Sequence, residues 1–304
     1  MILFHRESVI RSGQNASVTF REQDVFGSDE TVIRAWSVGD GPRQLFICND
    51  IGAPADCWAG LMTALGDDYT LVGFHYRGTS GSSRPLHESD TGIDHHVADA
   101  AAVMSHYELT APLTIGWSTG VPIAYQLAAT RPSLVSSLLA IAGLPRGGAG
   151  RLVEMLSGTF ISGVAQASRL VPSSVMSVIN KAPVDSATAQ FLRRSGLASA
   201  DVPPELLSRI VASYLEQDHR WYLKLISGAA NSNLDDADPV RCPTQFLMGR
   251  SDILVPAPLA LDAVRQLPQA ELEIVPGTHF LPLEQPAVVA AAVRSLANEH
   301  IGRD

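Results

Sequence analysis

Short runs of apolar residues recur along the chain, separated by longer stretches in which apolar and polar residues follow helical spacing. A run of roughly four to eight apolar residues between turn residues is typical of a strand that is buried on both faces. Alternation of such strands with helices predicts βαβ units and a mostly parallel sheet. Buried strands are predicted at 44–48, 69–74, 113–117, 135–144, 244–248 and 271–275, and edge strands at 17–20 and 31–37.

The alternation of strands and helices is interrupted in the second half of the chain. The stretch 149–236 contains helical segments separated by prolines, and it has no apolar run of the strand type. The alternation then returns and continues to a final helix. We therefore interpret 149–236 as a helical insertion in one α/β domain formed by 1–148 and 237–304.

The composition is that of a globular protein with a large core, since 46% of the 304 residues are hydrophobic and 17% are charged. The net charge of −9 argues against nucleic acid and anionic membranes as partners, because both attract basic surfaces. No apolar run approaches the roughly 20 residues of a membrane span, and early charges do not fit a secretory signal. Three cysteines without metal-ligand spacing (Cys48, Cys57 and Cys242) indicate reduced thiols. A cytoplasmic location is expected.

The clearest candidate for chemistry is Ser118, in the pentapeptide Gly116–Gly120 between a predicted strand and a helical stretch. A serine hydroxyl is an effective nucleophile when a sharp strand-to-helix turn presents it beside a base. The glycines permit the tight backbone, and the helix N-terminus offers N–H groups to a developing negative charge. The N–H of Thr119 is expected to be one of two oxyanion donors. The alternative is an ordinary βα turn that contains a serine.

A serine nucleophile needs a histidine base and an orienting carboxylate. The last two predicted strands are each followed by a candidate, Asp252 after 244–248 and His279 after 271–275. Because the carboxyl ends of parallel strands share one edge of a sheet, both are expected to converge with Ser118. The alternatives are a helix-capping role for Asp252 and a structural loop position for His279.

Together these features resemble the α/β-hydrolase superfamily over residues 17–300. The motifs that carry the resemblance are Gly116–Gly120, Gly249–Asp252 and Gly277–Glu284, in the order Ser, Asp, His that this superfamily has. The resemblance implies an α/β-hydrolase fold, with a mostly parallel sheet of about eight strands flanked by helices. It also makes the insertion 149–236 a helical cap, or lid.

The loop after Cys48 departs from the family pattern. The resemblance places the second oxyanion N–H at Ile51, but Asn49-Asp50 stand where many members have His-Gly. A carboxylate beside an oxyanion is unfavourable unless Asp50 points away or is paired. The string Asn49–Ala53 is also similar to a loop of intracellular polyhydroxyalkanoate depolymerases.

Other residues near the nucleophile bear on the substrate and on metals. Trp117 can line the pocket or pack in the core. Asp94, His95 and Asp99 could suggest a metal site, but a solvated helix start is favoured because no second ligand cluster accompanies them. No cofactor and no metal are expected. The candidates for the substrate pocket are Asp50, Trp117 and Phe280.

These features favour a serine hydrolase that acts on an ester or thioester with an apolar acyl or alcohol part. Residues 152–180 of the cap have only Glu154 and Arg169 as charges, so this segment packs on the core or borders an apolar cavity. C–C bond hydrolysis, acyl transfer or cyclisation, and perhydrolysis use the same triad. A ligand receptor without turnover is the alternative outside enzymes. The expected partner is a hydrophobic small molecule, and the oligomeric state stays open.

Overall fold

The computed structural model describes residues 5–12, 16–145, 193–194, 196, 198–230, 240–267 and 269–301. Nine strands in these residues form one sheet, in the order β1-β2-β3-β5-β4-β6-β7-β8-β9. The strands are β1 (His5–Ser12), β2 (Ala16–Phe26), β3 (Val32–Val38), β4 (Arg43–Cys48), β5 (Tyr69–Phe74), β6 (Leu113–Trp117), β7 (Ser137–Ile141), β8 (Thr244–Gly249) and β9 (Ala270–Val275).

The sheet is antiparallel at one end and parallel over the rest of its width. Strands β1, β2, β3 and β5 pair antiparallel in that order. All the other pairs, from β5–β4 to β8–β9, are parallel, which confirms the predicted mostly parallel sheet. The expected number of about eight strands omits β1. This strand is mostly polar and pairs only with β2 at the edge of the sheet, so it contains no apolar run.

Helices cover both faces of the sheet. Successive side chains of β4 point to opposite faces, so Leu45 and Ile47 join the core beneath α1 and α8, whereas Phe46 and Cys48 join the core beneath α2 and α3. The helices are α1 (Ala59–Leu65), α2 (Ile93–His106), α3 (Gly120–Thr130), α4 (Pro204–Glu216), α5 (His219–Ala230), α6 (Pro258–Arg265), α7 (Leu281–Glu284) and α8 (Pro286–Ile301), with 3₁₀ turns at Ala55–Trp58 and Pro132–Leu134.

Residues 198–230 of the insertion contain α4 and α5. Helix α5 is joined to the core by Trp221, whose indole N–H donates to the Arg77 carbonyl at 2.8 Å. The guanidinium of Arg84 lies over the same ring, 4.7 Å from its centroid. Most of 149–236 lies outside the described residues, so the division into a core and a cap stays a prediction.

The described residues show neither a disulfide nor a membrane-spanning helix. The three cysteines are free thiols, and Cys48 and Cys57 are buried. Burial raises the pKa of the Cys57 thiol, and it raises that of Cys242 to about 11, so both stay protonated at neutral pH. In this part of the chain, no helix is both long enough and apolar enough to cross a bilayer.

Candidate active site

Ser118 occupies a tight turn between β6 and α3. Its φ of 54° lies in the left-handed region, which costs a residue with a side chain roughly 1–2 kcal/mol. The flanking glycines are required by close approach. A Cβ at Gly116 would lie 2.7 Å from the Val121 Cα, and a Cβ at Gly120 would lie 2.0 Å from the Cys48 carbonyl oxygen. The turn therefore holds the serine in a fixed position at the carboxyl end of β6.

The three candidate triad residues meet at this edge of the sheet. His279 Nε2 lies 2.8 Å from Ser118 Oγ, and His279 Nδ1 lies 2.9 Å from Asp252 Oδ2. The other oxygen of Asp252 accepts the backbone N–H groups of Leu254 at 2.8 Å and Val255 at 2.9 Å. The aspartate thus caps a turn and also faces the imidazole. All three side chains are buried.

The electrostatic surroundings of His279 favour its protonated form. Burial lowers the pKa of the imidazole, but the charge and hydrogen bond of Asp252 outweigh burial, with smaller contributions from Asp50 and Glu284, so the pKa is raised. A base in this environment stabilises the imidazolium that forms when it takes a proton from a serine.

The loop that carries His279 is fixed by an acceptor that sequence reasoning did not assign. Glu284 accepts the N–H and the hydroxyl of Thr278, each at 2.6 Å. The same carboxylate accepts the N–H of Ser199, which belongs to the insertion, at 2.8 Å. The short spacing between Thr278 and Glu284, across the one-turn helix α7, is the sequence signal that could have indicated this contact.

Trp117 lies in the core, and the expectation that it lines the pocket is wrong for this structure. Its side chain is 0% exposed, and its ring packs edge-on against Trp58 with centroids 6.1 Å apart. Its indole N–H donates to the His279 carbonyl at 3.0 Å, so it supports the base through the backbone. Phe280 is partly buried and packs on Trp117 with centroids 6.0 Å apart, and its pocket role stays a prediction.

The two expected oxyanion donors lie beside the nucleophile, and both are bonded to atoms of the protein. The Ile51 N–H donates to Thr119 Oγ1 at 2.8 Å. The Thr119 N–H donates to Asp50 Oδ1 at 3.3 Å, and the Thr119 hydroxyl donates to the same oxygen at 2.5 Å. A substrate oxygen therefore has to replace these bonds before it can use both donors.

Asn49 organises the loop where many family members have a histidine. Its Oδ1 accepts the Asp50 N–H at 3.0 Å and the Trp58 indole N–H at 3.1 Å. Its amide donates to the Ala53 carbonyl at 2.9 Å, while its own carbonyl accepts the Tyr76 hydroxyl at 2.8 Å. This buried network fixes the backbone that precedes Ile51, so the loop is ordered without the His-Gly pair.

Asp50 is also held by the insertion. The hydroxyl of Tyr214, on α4, donates to Asp50 Oδ2, and the preceding Ser213 donates to the Gly52 carbonyl at 2.9 Å. The ring of Tyr214 packs edge-on against Tyr222 of α5, with centroids 6.0 Å apart. Sequence reasoning missed these tyrosines, because 164 positions separate Asp50 from Tyr214 and no local pattern marks the contact.

Asp99 of α2, which the sequence placed in a solvated helix start, is instead buried in an ion pair with Arg77. Arg77 is fully buried and binds Asp99 through two nitrogens, at 2.7 and 2.8 Å, and Asp29 at 2.9 Å. Among the described residues, Asp29, Asp90 and His95 offer ligand atoms within 4.8 Å of one another. Because Asp29 is already bonded to Arg77, this grouping is explained by the ion pairs that hold the loops together. Arg77 thus ties the loop after β5 to α2 and to the loop that contains Asp29.

The fold and the turn around Ser118 define the class of protein. The model of the alpha/beta hydrolase fold matches residues 45–286, so the chain belongs to that family.

Several proteins that are similar to this chain carry the names of hydrolases. RutD of Escherichia coli, which is named as a carbamate hydrolase, is 24% identical over 255 residues, covering 81% of this chain and 88% of RutD. The esterase EaEST from Exiguobacterium antarcticum superposes with a TM-score of 0.68 at 15% identity, covering 90% of this chain and 97% of the esterase. The enol-lactonase from Burkholderia xenovorans LB400 gives a TM-score of 0.67 at 16% identity, covering 90% and 99%. These structures share the fold.

Proposed function

We propose that the protein is a serine hydrolase that cleaves an ester or thioester through an acyl-enzyme. The observation that carries this proposal is the continuous hydrogen-bonded chain from Ser118 through His279 to Asp252, with the serine held at positive φ. Hydrogen-bond contact between nucleophile and base, with the base oriented by a third group, is the arrangement that nucleophilic catalysis needs.

The proposed reaction follows from this geometry. Ser118 Oγ attacks the carbonyl carbon while His279 Nε2 takes its proton, and Asp252 keeps the other ring nitrogen protonated and stabilises the imidazolium. The Thr119 and Ile51 N–H groups exchange their present acceptors for the developing oxyanion. His279 then gives the proton to the leaving alcohol or thiol, and water attacks the acyl-enzyme in a second round of the same steps.

The proposed substrate has an apolar acyl or alcohol part. Support comes from the composition of 152–180, although this stretch lies outside the described residues, and from the ring pair of Tyr214 and Tyr222 near the oxyanion loop. The similar proteins carry the names of an esterase, an enol-lactonase and a carbamate hydrolase, and carboxylic esters, lactones and carbamates all contain a carbonyl group open to serine attack.

A fluorophosphonate probe tests the proposal directly. We expect stoichiometric labelling of the protein, mapped by mass spectrometry to the peptide that contains Ser118, and no labelling of Ser118→Ala. Ser89→Ala is the matched control, because the Ser89 hydroxyl lies in an exposed loop and donates to Asp90, and this variant should label as the unchanged protein does. Equal labelling of the unchanged protein and Ser118→Ala would refute a Ser118 nucleophile.

A panel of p-nitrophenyl esters with acyl chains of increasing length tests the substrate class. We expect kcat/KM to rise from the acetate towards longer chains, because each buried methylene contributes about 0.8 kcal/mol of binding. A preference for acetate would contradict the apolar substrate.

A ligand receptor is a second candidate, and one observation favours it. Both oxyanion donors are bonded to Thr119 and Asp50, as expected of a site that does not need to stabilise an oxyanion. The labelling experiment separates the two functions. A protein with native circular dichroism that neither labels nor hydrolyses any ester of the panel would be assigned as a receptor.

A further inference from the structure

The carboxylate of Asp50 lies beside both of the expected oxyanion donors. It is buried, it directly precedes one oxyanion donor in the chain, and it accepts the N–H of the other. Its Oδ1 therefore lies where the Thr119 N–H would meet a substrate oxygen. Any effect of Asp50 on a substrate rests on the proposed hydrolase function, because the carboxylate belongs to that same site.

The structure keeps the carboxylate at the site. Tyr214 holds Oδ2 from α4, and Thr119 holds Oδ1 from the turn after the nucleophile. Among the ion pairs of the described residues, no cation pairs with Asp50, and nearby Arg209 pairs with Asp56 at 3.2 Å. Hydrogen bonds from Thr119 and Tyr214 therefore stabilise the negative charge of Asp50 in this structure.

Substrate binding changes that balance. When a carbonyl oxygen takes the Thr119 N–H, Asp50 loses one of its donors and gains a partly negative neighbour. Removing a donor from a buried carboxylate costs free energy, because hydrogen bonds to charged groups are stronger than those between neutral groups. A substrate that carries its own donor close to the carbonyl can replace the lost bond. A substrate with a carboxylate there places two like charges together.

We propose that Asp50 is a specificity-determining residue that selects substrates with a hydrogen-bond donor, a hydroxyl or ammonium group, next to the scissile carbonyl. Asp50 accepts the substrate donor with the oxygen that the Thr119 N–H releases. The same carboxylate disfavours substrates that carry a negative charge at this position.

Binding of two ketones to Ser118→Ala tests the proposal without requiring turnover. The probes are 2-hydroxyacetophenone, which has a donor beside its carbonyl, and 2-methoxyacetophenone, which has none. We expect calorimetry to show that the hydroxy ketone binds about tenfold or more tightly than the methoxy ketone. Adding Asp50→Asn or Asp50→Gly should reduce this ratio to about threefold or less.

Asp56→Asn, added to Ser118→Ala, is the matched control. Asp56 is another buried carboxylate close in the chain, but it pairs with Arg209 and has no bond to Thr119. This variant should keep the full preference for the hydroxy ketone. Asp50→Asn is nearly isosteric, and near-ultraviolet circular dichroism checks that each variant is folded.

Kinetics of aryl esters provides the second measurement, with each rate divided by the rate of hydroxide hydrolysis of the same ester. The hydroxyacetate should exceed the methoxyacetate, and the malonate monoester should be slowest. Asp50→Asn should raise kcat/KM for the malonate monoester at least about tenfold relative to the hydroxyacetate.

Equal affinity for the two ketones, no binding of either, or a preference that survives in both Asp50 variants would overturn the proposal. These outcomes differ from failure of the hydrolase itself, in which neither labelling nor hydrolysis occurs although the ketone preference depends on Asp50.

Discussion

Replacement of Asp252 by asparagine should inactivate the proposed enzyme while leaving it folded. Two backbone N–H groups, of Leu254 and Val255, point at one oxygen of this side chain, and the imidazole of His279 faces the other. The amide of Asp252→Asn has to give its carbonyl oxygen to one side and its NH₂ to the other. Facing its NH₂ towards the backbone would forfeit two hydrogen bonds, at about 1 kcal/mol each, and oppose donors to donors.

The carbonyl oxygen of that amide therefore stays with the backbone, and the NH₂ faces His279. The Nδ1 atom of the imidazole then has to accept, which forces the proton onto Nε2, the atom that should receive the proton of Ser118. In the serine-protease triad this change of tautomer lowers kcat by about 10⁴, and we expect a similar loss here. At 1.36 kcal/mol per factor of ten, this is about 5.4 kcal/mol of transition-state stabilisation.

The assay is kcat/KM on the best ester of the panel, together with the rate of fluorophosphonate labelling. Asp262→Asn is the matched control, because Asp262 is an exposed aspartate paired with Arg265, and its rate should stay within about twofold of the unchanged protein. A folded Asp252→Asn protein that retains more than about a tenth of the activity would refute the assigned tautomer and the acid role of Asp252.

Three further predictions concern the turn, the base and the buried ion pair. Gly120→Ala should lower the free energy of unfolding in urea by more than about 3 kcal/mol, because its methyl group would meet a carbonyl oxygen. Gly92→Ala is the control and should change this free energy by less than about 1 kcal/mol, because a Cβ there meets no atom of another segment within 4 Å. Similar losses in the two variants would contradict the close approach at Gly120. His279 has to be neutral to accept a proton, and its pKa is raised above 6.5. The pH profile of kcat/KM should therefore rise with a midpoint above pH 6.5. A midpoint at or below pH 6.5 would contradict the raised pKa. Arg77→Met should lower the free energy of unfolding by about 3–5 kcal/mol, because it leaves the buried Asp99 without its ion-pair partner. Adding Asp99→Leu should recover part of this free energy. Additive losses in the double variant would show that the two residues are not coupled.

The central sheet could be predicted because its strands are buried on both faces and therefore read as apolar runs. The run at 135–144 marks β7, although the paired strand is shorter, Ser137–Ile141. The polar edge strand β1 has no such signal, because only pairing with β2 makes it a strand. Local pattern thus predicts an element well when burial alone determines it.

The candidate triad could also be predicted, since each member follows a predicted strand in a short turn. What the sequence did not reveal depends on contacts between distant segments. Tyr214 reaches Asp50 because α4 packs on the oxyanion loop with one particular rotation about its axis, which no spacing in the sequence specifies. Trp117 is adjacent to the nucleophile in sequence, yet strand alternation turns its ring away into the core.

The carboxylate of Glu284 has a consequence for the exchange of segments between related enzymes. It accepts N–H groups from both the loop of the base and the insertion, at Thr278 and Ser199. A chimaera that replaces the insertion with that of another family member would remove one of the three donors to this carboxylate unless the graft supplies a backbone N–H there. Recombination that aims at new substrates should therefore place its second crossover before Ser199, so that the native donor is retained with the core.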